Sequence, residues 1–170
     1  MSINILLRNI GRFLILAFLQ VFIFNNIHIT SYGIIPAVYI IYIIILPFET
    51  PKWMVLILAF LIGLSIDIFS DSLGLNTSAS VLIAFVRPWI LNSLSPRDGY
   101  ETGSFPRVYY QGINWFVSYA AIMVIVHQII YYLLDSFSFE NFIIIIFKIV
   151  IGTLISLVIA IVSQYIIFRK

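Results

Sequence analysis

From Glu140 to Phe168 the chain reads ENFIIIIFKIVIGTLISLVIAIVSQYIIF, and after the opening glutamate Lys148 is the one formally charged residue in it. A transmembrane helix needs about 20 mostly apolar residues, so a run of this kind is read as a membrane crossing. The rest of the chain follows suit. Hydrophobic residues make up 62% and charged residues 9%, and the mean hydropathy is +1.12. Soluble domains carry about 25% charged residues. So little charge cannot cover a surface in water, and the class is an integral membrane protein. Cysteine is absent, which excludes disulfides, thiolate catalysis and cysteine-based metal sites. The N-terminal MSINILLRNIGRFLILAFLQVF has basic residues before an apolar run. It lacks a small-residue cleavage site and reads as a retained span.

Six segments reach or approach spanning length: Ile5–Phe24, Ile34–Phe48, Lys52–Ser70, Thr77–Leu94, Gly112–Leu134 and Glu140–Phe168. The second is short and flanked by Pro36 and Pro47, so it reads as tilted, broken or thinly spanning. The charge distribution tests the count. With six spans, Arg8, Arg12, Lys52, Arg97, Arg107, Arg169 and Lys170 all fall on one side. The other side holds His28, Asp71, Asp135 and Glu140. The positive-inside rule then puts both termini in the cytoplasm, and the pattern fails if the second segment is dropped. Residues 95–111, within NSLSPRDGYETGSFPRVYYQ, form the long cytoplasmic loop. The expected architecture is an all-α bundle of six transmembrane helices in one domain, with no soluble domain and no internal repeat. No GxxxxGK phosphate loop is present, and nothing points to nucleic acid or to a cofactor.

Three charges cannot be assigned to loops: Asp67, Arg87 and Lys148. Each costs at least about 2.5 kcal/mol at the centre of a span, so each needs a partner, water or a function. Helical rise places Asp67 roughly 5 Å inside the outer end of its span, Lys148 and His127 about 12 Å in, and Arg87 about 15 Å down, near mid-membrane. Lys148 or Arg87 can bend toward Asp67. One reading is a polar pocket that binds a ligand or transmits a state. The other is an ion pair that fixes helix register. His127 has no second ligand three or four residues away, which favours a packing histidine over a metal site. Pro88 is expected to kink its span or free a carbonyl one turn earlier. Gly152, Ser156, Ala160 and Ser163 share one face of the last span, a pattern for close helix packing or for contact with another protein. Trp53, Trp89, Trp115 and Tyr109–Tyr110 read as interfacial anchors.

The stretch GLSIDIFSDSLGLNTSAS, Gly63–Ser80, ends the third span, turns and starts the fourth. Gly74 suits the turn, and Asn76, Thr77 and Ser78 are candidate N-caps. The positive end of that helix favours a nearby carboxylate, Asp67 or Asp71.

A span ending G-L-x-x-D, a turn with L-G-L and a small-residue helix start resemble the MreD family of bacterial rod-shape-determining membrane proteins. Ala84–Pro88 is a weaker continuation, and the length, basic start and multi-span layout agree. The resemblance implies a non-enzymatic scaffold of the cell-elongation, peptidoglycan-synthesis machinery in the bacterial cytoplasmic membrane. Its implied partners are an MreC-like single-span protein, the MreB cytoskeleton, the RodA polymerase, a penicillin-binding transpeptidase and membrane lipid. It implies a fold similar to the substrate-binding subunits of ECF vitamin transporters. It carries over to Gly63, Asp67, Gly74 and Leu75.

Two other classes compete. An ECF-type substrate-binding subunit fits the size and span number. Its docking face of small residues on span one is missing, because ILAFLQVFIF offers only Ala17; an asparagine- or tryptophan-lined outer cavity would favour it. A lipid-acting membrane enzyme needs a nucleophile and a base at common depth, and only Asp67 and His127 are candidate bases.

Overall fold

The computed structural model describes residues 3–26, 33–136 and 142–166, with side chains from Asn9 onward. His28, Glu140, Arg169 and Lys170 and the Arg8 side chain lie outside the described residues. The described elements are α1 (Ile3–Leu19), which continues into a wider π-type turn (Gln20–Phe24), then α2 (Ile40–Ile44), α3 (Lys52–Ser70), α4 (Leu75–Ser93), α5 (Val108–Gln111), α6 (Ile113–Ser136) and α7 (Phe142–Ile166). No strand occurs among the described residues. α7 is dense in isoleucine and valine, residues of modest helix propensity. In hydrocarbon that preference yields to the need of every N–H and C=O for an internal partner, which a helix meets within one segment.

Three helices, α3, α6 and α7, are long and apolar enough to cross a membrane. α4 matches α3 in length at 19 residues, and the apolar part of the first helix, Asn9–Phe24, is shorter. Large apolar side chains cover the outside: Ile57, Phe60 and Leu61 on α3, Ile122, Ile125 and Ile129 on α6, Leu154, Val158 and Val162 on α7. Their spacing of three and four gives each helix a stripe facing away from the bundle.

The main departure from the sequence reading is the second segment. Helix forms only over Ile40–Ile44, and the residues before it are irregular. Every residue from Ala37 to Leu46 is buried. This segment is a strap through the middle of the bundle with no lipid-facing side. Pro36 and Pro47 at its ends restrict the helix to one short piece. The strap nevertheless runs along much of the length of α4. Ile35 meets Tyr132 and Tyr39 meets Asn76, near the α3–α4 turn. Leu46 and Pro47 meet Arg87, two-thirds of the way along α4.

α3, α4, α6 and α7 pack in sequence, α3 on α4, α4 on α6 and α6 on α7, and α1 packs on α2 and α3. The core is the strap together with the facing sides of these helices, including Ala59, Ile62, Ile83, Phe116, Tyr119, Met123 and Ala160. Residues 95–107 do not simply hang in solvent. Tyr100 stacks on Phe48 with centroids 4.0 Å apart and donates to the Leu91 carbonyl at 2.7 Å. Glu49 accepts the Gly103 N–H at 2.9 Å.

Candidate functional site

α3 ends with Asp71 in the left-handed region (φ 50°), its N–H on the Asp67 carbonyl. Gly74 (φ 85°) then opens α4 as its N-cap. A left-handed glycine offers no side-chain acceptor, so the first amides of α4 need one from elsewhere. Asp67 supplies it. Its carboxylate accepts the N–H of Asn76 at 3.0 Å and of Thr77 at 2.8 Å, the second and third residues of the helix. With the side chains of Ser72, Asn76 and Thr77 it takes five donors in all. A carboxylate there also complements the positive end of the helix dipole.

This revises two expectations. α4 begins at Leu75, not Thr77, and Asn76, Thr77 and Ser78 lie inside its first turn instead of capping it. Asp67 is satisfied by these donors and not by Lys148 or Arg87. Lys148 is half-buried, with its ammonium 5.8 Å from the Tyr132 ring centroid. Arg87 lies toward the opposite end of α4.

One helical turn before Asp67, Gly63 lies on the same face of α3. A β-carbon there would stand 2.5 Å from Thr77 Cα and 2.9 Å from the Asn76 carbonyl oxygen, both backbone. Only glycine permits this approach. Gly63, Asp67, Gly74 and Leu75 thus meet at a single junction. Leu73, at the tip of the turn, is 99% exposed.

Asn76 links the junction to a buried polar chain. The Tyr39 hydroxyl lies 3.2 Å from Asn76 Oδ1 and 2.5 Å from His127 Nε2, and Ser80 donates to it at 3.3 Å. His127 is buried, and its Nδ1 has no partner among the described residues.

Four further polar side chains, Gln20, Ser156, Tyr132 and Arg87, hold the strap. Irregular backbone at membrane depth is tolerated only where protein satisfies it. Gln20 Oε1 accepts the N–H of Val38 and Tyr39 at 2.8 and 3.3 Å, while its Nε2 donates to the Pro36 carbonyl at 3.0 Å. Ser156 Oγ accepts the Ala37 N–H at 2.9 Å and donates to the Gly152 carbonyl. Tyr132 accepts the Ile35 N–H at 3.2 Å. Arg87 donates through Nη2 to the Leu46 carbonyl and through Nε to the Tyr119 hydroxyl. Gly152, Ser156 and Ala160 face inward, and a β-carbon on Gly152 would meet the Gln128 side-chain amide at 3.0 Å.

Gln20, Tyr39, Gln128 and Tyr132 are absent from the sequence reading, and Asn76 enters it only as a candidate N-cap. Gln20 had one usable signal: it is the sole side-chain amide in the apolar run Phe13–Phe24. The others depend on knowing that the strap is irregular and internal.

Among the described residues, no three of His, Cys, Asp and Glu come together in a way that could hold a metal ion. A cavity of about 480 Å³ opens beside the junction, lined in part by Asn25, Asn26, Asp71, Asn76 and Tyr131. No family model, curated protein or solved structure matches the chain.

Proposed function

We propose that the chain is a multi-pass, non-enzymatic scaffold of the bacterial cell-elongation complex in the cytoplasmic membrane, working beside an MreC-like single-span partner. The observation that carries this reading is the junction. The G-L-x-x-D and L-G-L positions of an MreD-like sequence are separate in the chain, yet Gly63, Asp67, Gly74 and Leu75 all serve one helix-to-helix clasp. In this reading α1, the strap, α3, α4, α6 and α7 make six crossings. The end carrying Arg12, Lys52, Arg97 and Arg107 is cytoplasmic, and both termini lie there. The clasp then faces the periplasmic side and presents Leu73 to the partner.

A second reading, an ECF-type substrate-binding subunit, draws on the asparagine-lined cavity beside the clasp. Its volume lies within the usual range of about 300–1,000 Å³ for small-molecule sites. Purification of the tagged protein from its native membrane in mild detergent, with mass spectrometry of what accompanies it, tests both. A single-span MreC-like protein with wall-synthesis enzymes supports the scaffold. A coupling membrane subunit with a pair of ATPases overturns it in favour of transport.

A further inference from the structure

At the end of the bundle opposite the clasp, a second cavity of about 280 Å³ lies between the start of α3 and the second half of α4. Its lining includes two cations, Lys52 and Arg87, with Thr50, Asn92 and Tyr100, and no Asp or Glu. Arg87 is 3% exposed. Its hydrogen-bond acceptors are the Leu46 and Pro47 carbonyls and the Tyr119 hydroxyl. All are neutral. They occupy Nε and Nη2, while Nη1 donates to no acceptor among the described residues. A buried guanidinium with neutral partners keeps an uncompensated charge in a poorly polarisable medium, and that charge favours an anion within reach.

Two further features converge on the same cavity. Lys52 is exposed at its rim and adds a second cation. α3 also begins here, with its N-cap Pro51 and first residue Lys52 in the lining. The first amides of a helix lack intrahelical acceptors and carry partial positive charge, an arrangement that suits phosphate. Guanidinium supplies directional donors, and ammonium supplies an adaptable point charge.

We propose that this cavity binds a phosphate-bearing anion, with Arg87 at its floor, Lys52 at its rim and the first turn of α3 beside it. The site is independent of the scaffold reading, because it uses none of the clasp residues. Its chemistry suits the phosphate of a lipid headgroup or a free phosphate. The two sources differ in whether acyl chains are needed.

The test uses the full-length protein, purified in detergent and delipidated. Thermal unfolding is followed with phosphatidylglycerol, phosphatidylcholine or inorganic phosphate added. The expected result is a rise in melting temperature with phosphatidylglycerol that phosphatidylcholine does not reproduce. Lys52→Glu replaces an exposed cation by an anion and is expected to weaken the apparent affinity roughly tenfold. Arg97→Gln, a loop cation outside the cavity lining, is expected to leave it unchanged. Stabilisation by inorganic phosphate alone, lost in Lys52→Glu, also supports the site and assigns it to a soluble anion. Equal stabilisation by both lipids with no effect of phosphate overturns the proposal. So does an anion effect that Lys52→Glu and Arg97→Gln reduce to the same degree, because that is general surface attraction. Lys52 is exposed and makes no bond to the strap, so its variant tests the site without disturbing the fold.

Discussion

Asp67 Oδ2 accepts the Thr77 N–H at 2.8 Å, so the carboxylate on the last turn of one helix caps the first turn of the next. The intervening turn does not need its own cap, and the two helices cannot separate without stranding buried donors. Asp67→Ala is expected to destabilise the protein by about 1–3 kcal/mol, the combined effect of a lost cap and orphaned amides. Asp67→Asn keeps one acceptor but turns an NH₂ group toward donors, so it recovers part of the loss at most. Thermal unfolding in detergent, run as a double-mutant cycle with Thr77→Val, checks this. A coupling near zero would mean that the pair acts independently.

Gly63 makes the same junction steric. Gly63→Ala drives a methyl group into the backbone of Asn76 and Thr77, which cannot rotate away. The expected cost is about 1–3 kcal/mol, typical of overpacking. Gly152→Ala meets only the Gln128 side chain and is expected to cost less than half as much. Melting temperatures of the two variants under one set of conditions decide the order.

Arg87 and Lys148 look alike in sequence, as lone cations within apolar runs, but the structure separates them. Lys148 has an aromatic ring nearby, and Lys148→Met is expected to change stability by less than about 1 kcal/mol. Arg87→Met leaves the Leu46 carbonyl and the Tyr119 hydroxyl without this donor, while the Pro47 carbonyl keeps the Thr50 N–H and hydroxyl. Its expected cost is about 2–4 kcal/mol, since hydrogen bonds to a charged group are the stronger kind. Detergent unfolding curves for the two variants provide the comparison.

Much of the outer architecture was legible in the sequence. Uninterrupted apolar runs imply helices, and Lys52–Ser70 coincides with α3 to the residue. The start of α4 lies two residues before the expected one, because Asn76 and Thr77 read as local caps, whereas the cap is Asp67, one of the two carboxylates expected at this helix end. The second segment reads in the sequence as tilted, broken or thinly spanning, and its helix is broken, formed only over Ile40–Ile44; its position inside the bundle is what the sequence does not show. A buried irregular segment and a buried helix are equally apolar, so periodicity cannot tell Ile34–Phe48 apart from a span. Once the strap is in place, Gln20, Tyr132, Ser156 and Arg87 explain one another, since each answers a backbone group that lacks a helical partner. The expected ion pair to Asp67 failed because charge and depth were known but direction was not.

Gln20 connects α1 to the strap through both ends of its amide. Gln20→Leu is nearly isosteric yet leaves the Val38 and Tyr39 amides and the Pro36 carbonyl without those bonds. Each buried orphan costs about 1–3 kcal/mol. The expected outcome is a protein that still inserts but whose strap opens, read as faster protease cleavage in membranes while the amount inserted stays normal.

The central structural claim is that residues 37–46 thread the inside of the bundle and never face lipid. The absence of cysteine from the chain allows a direct measurement: single cysteines placed along Ala37–Leu46, one at a time, and probed in native membranes with water-soluble and lipid-soluble thiol reagents. Uniform protection from both reagents, with strong labelling of a Leu73→Cys control, is the result the account requires. Labelling by the lipid-soluble reagent at every third or fourth position would make the segment an ordinary lipid-facing helix and would contradict the account.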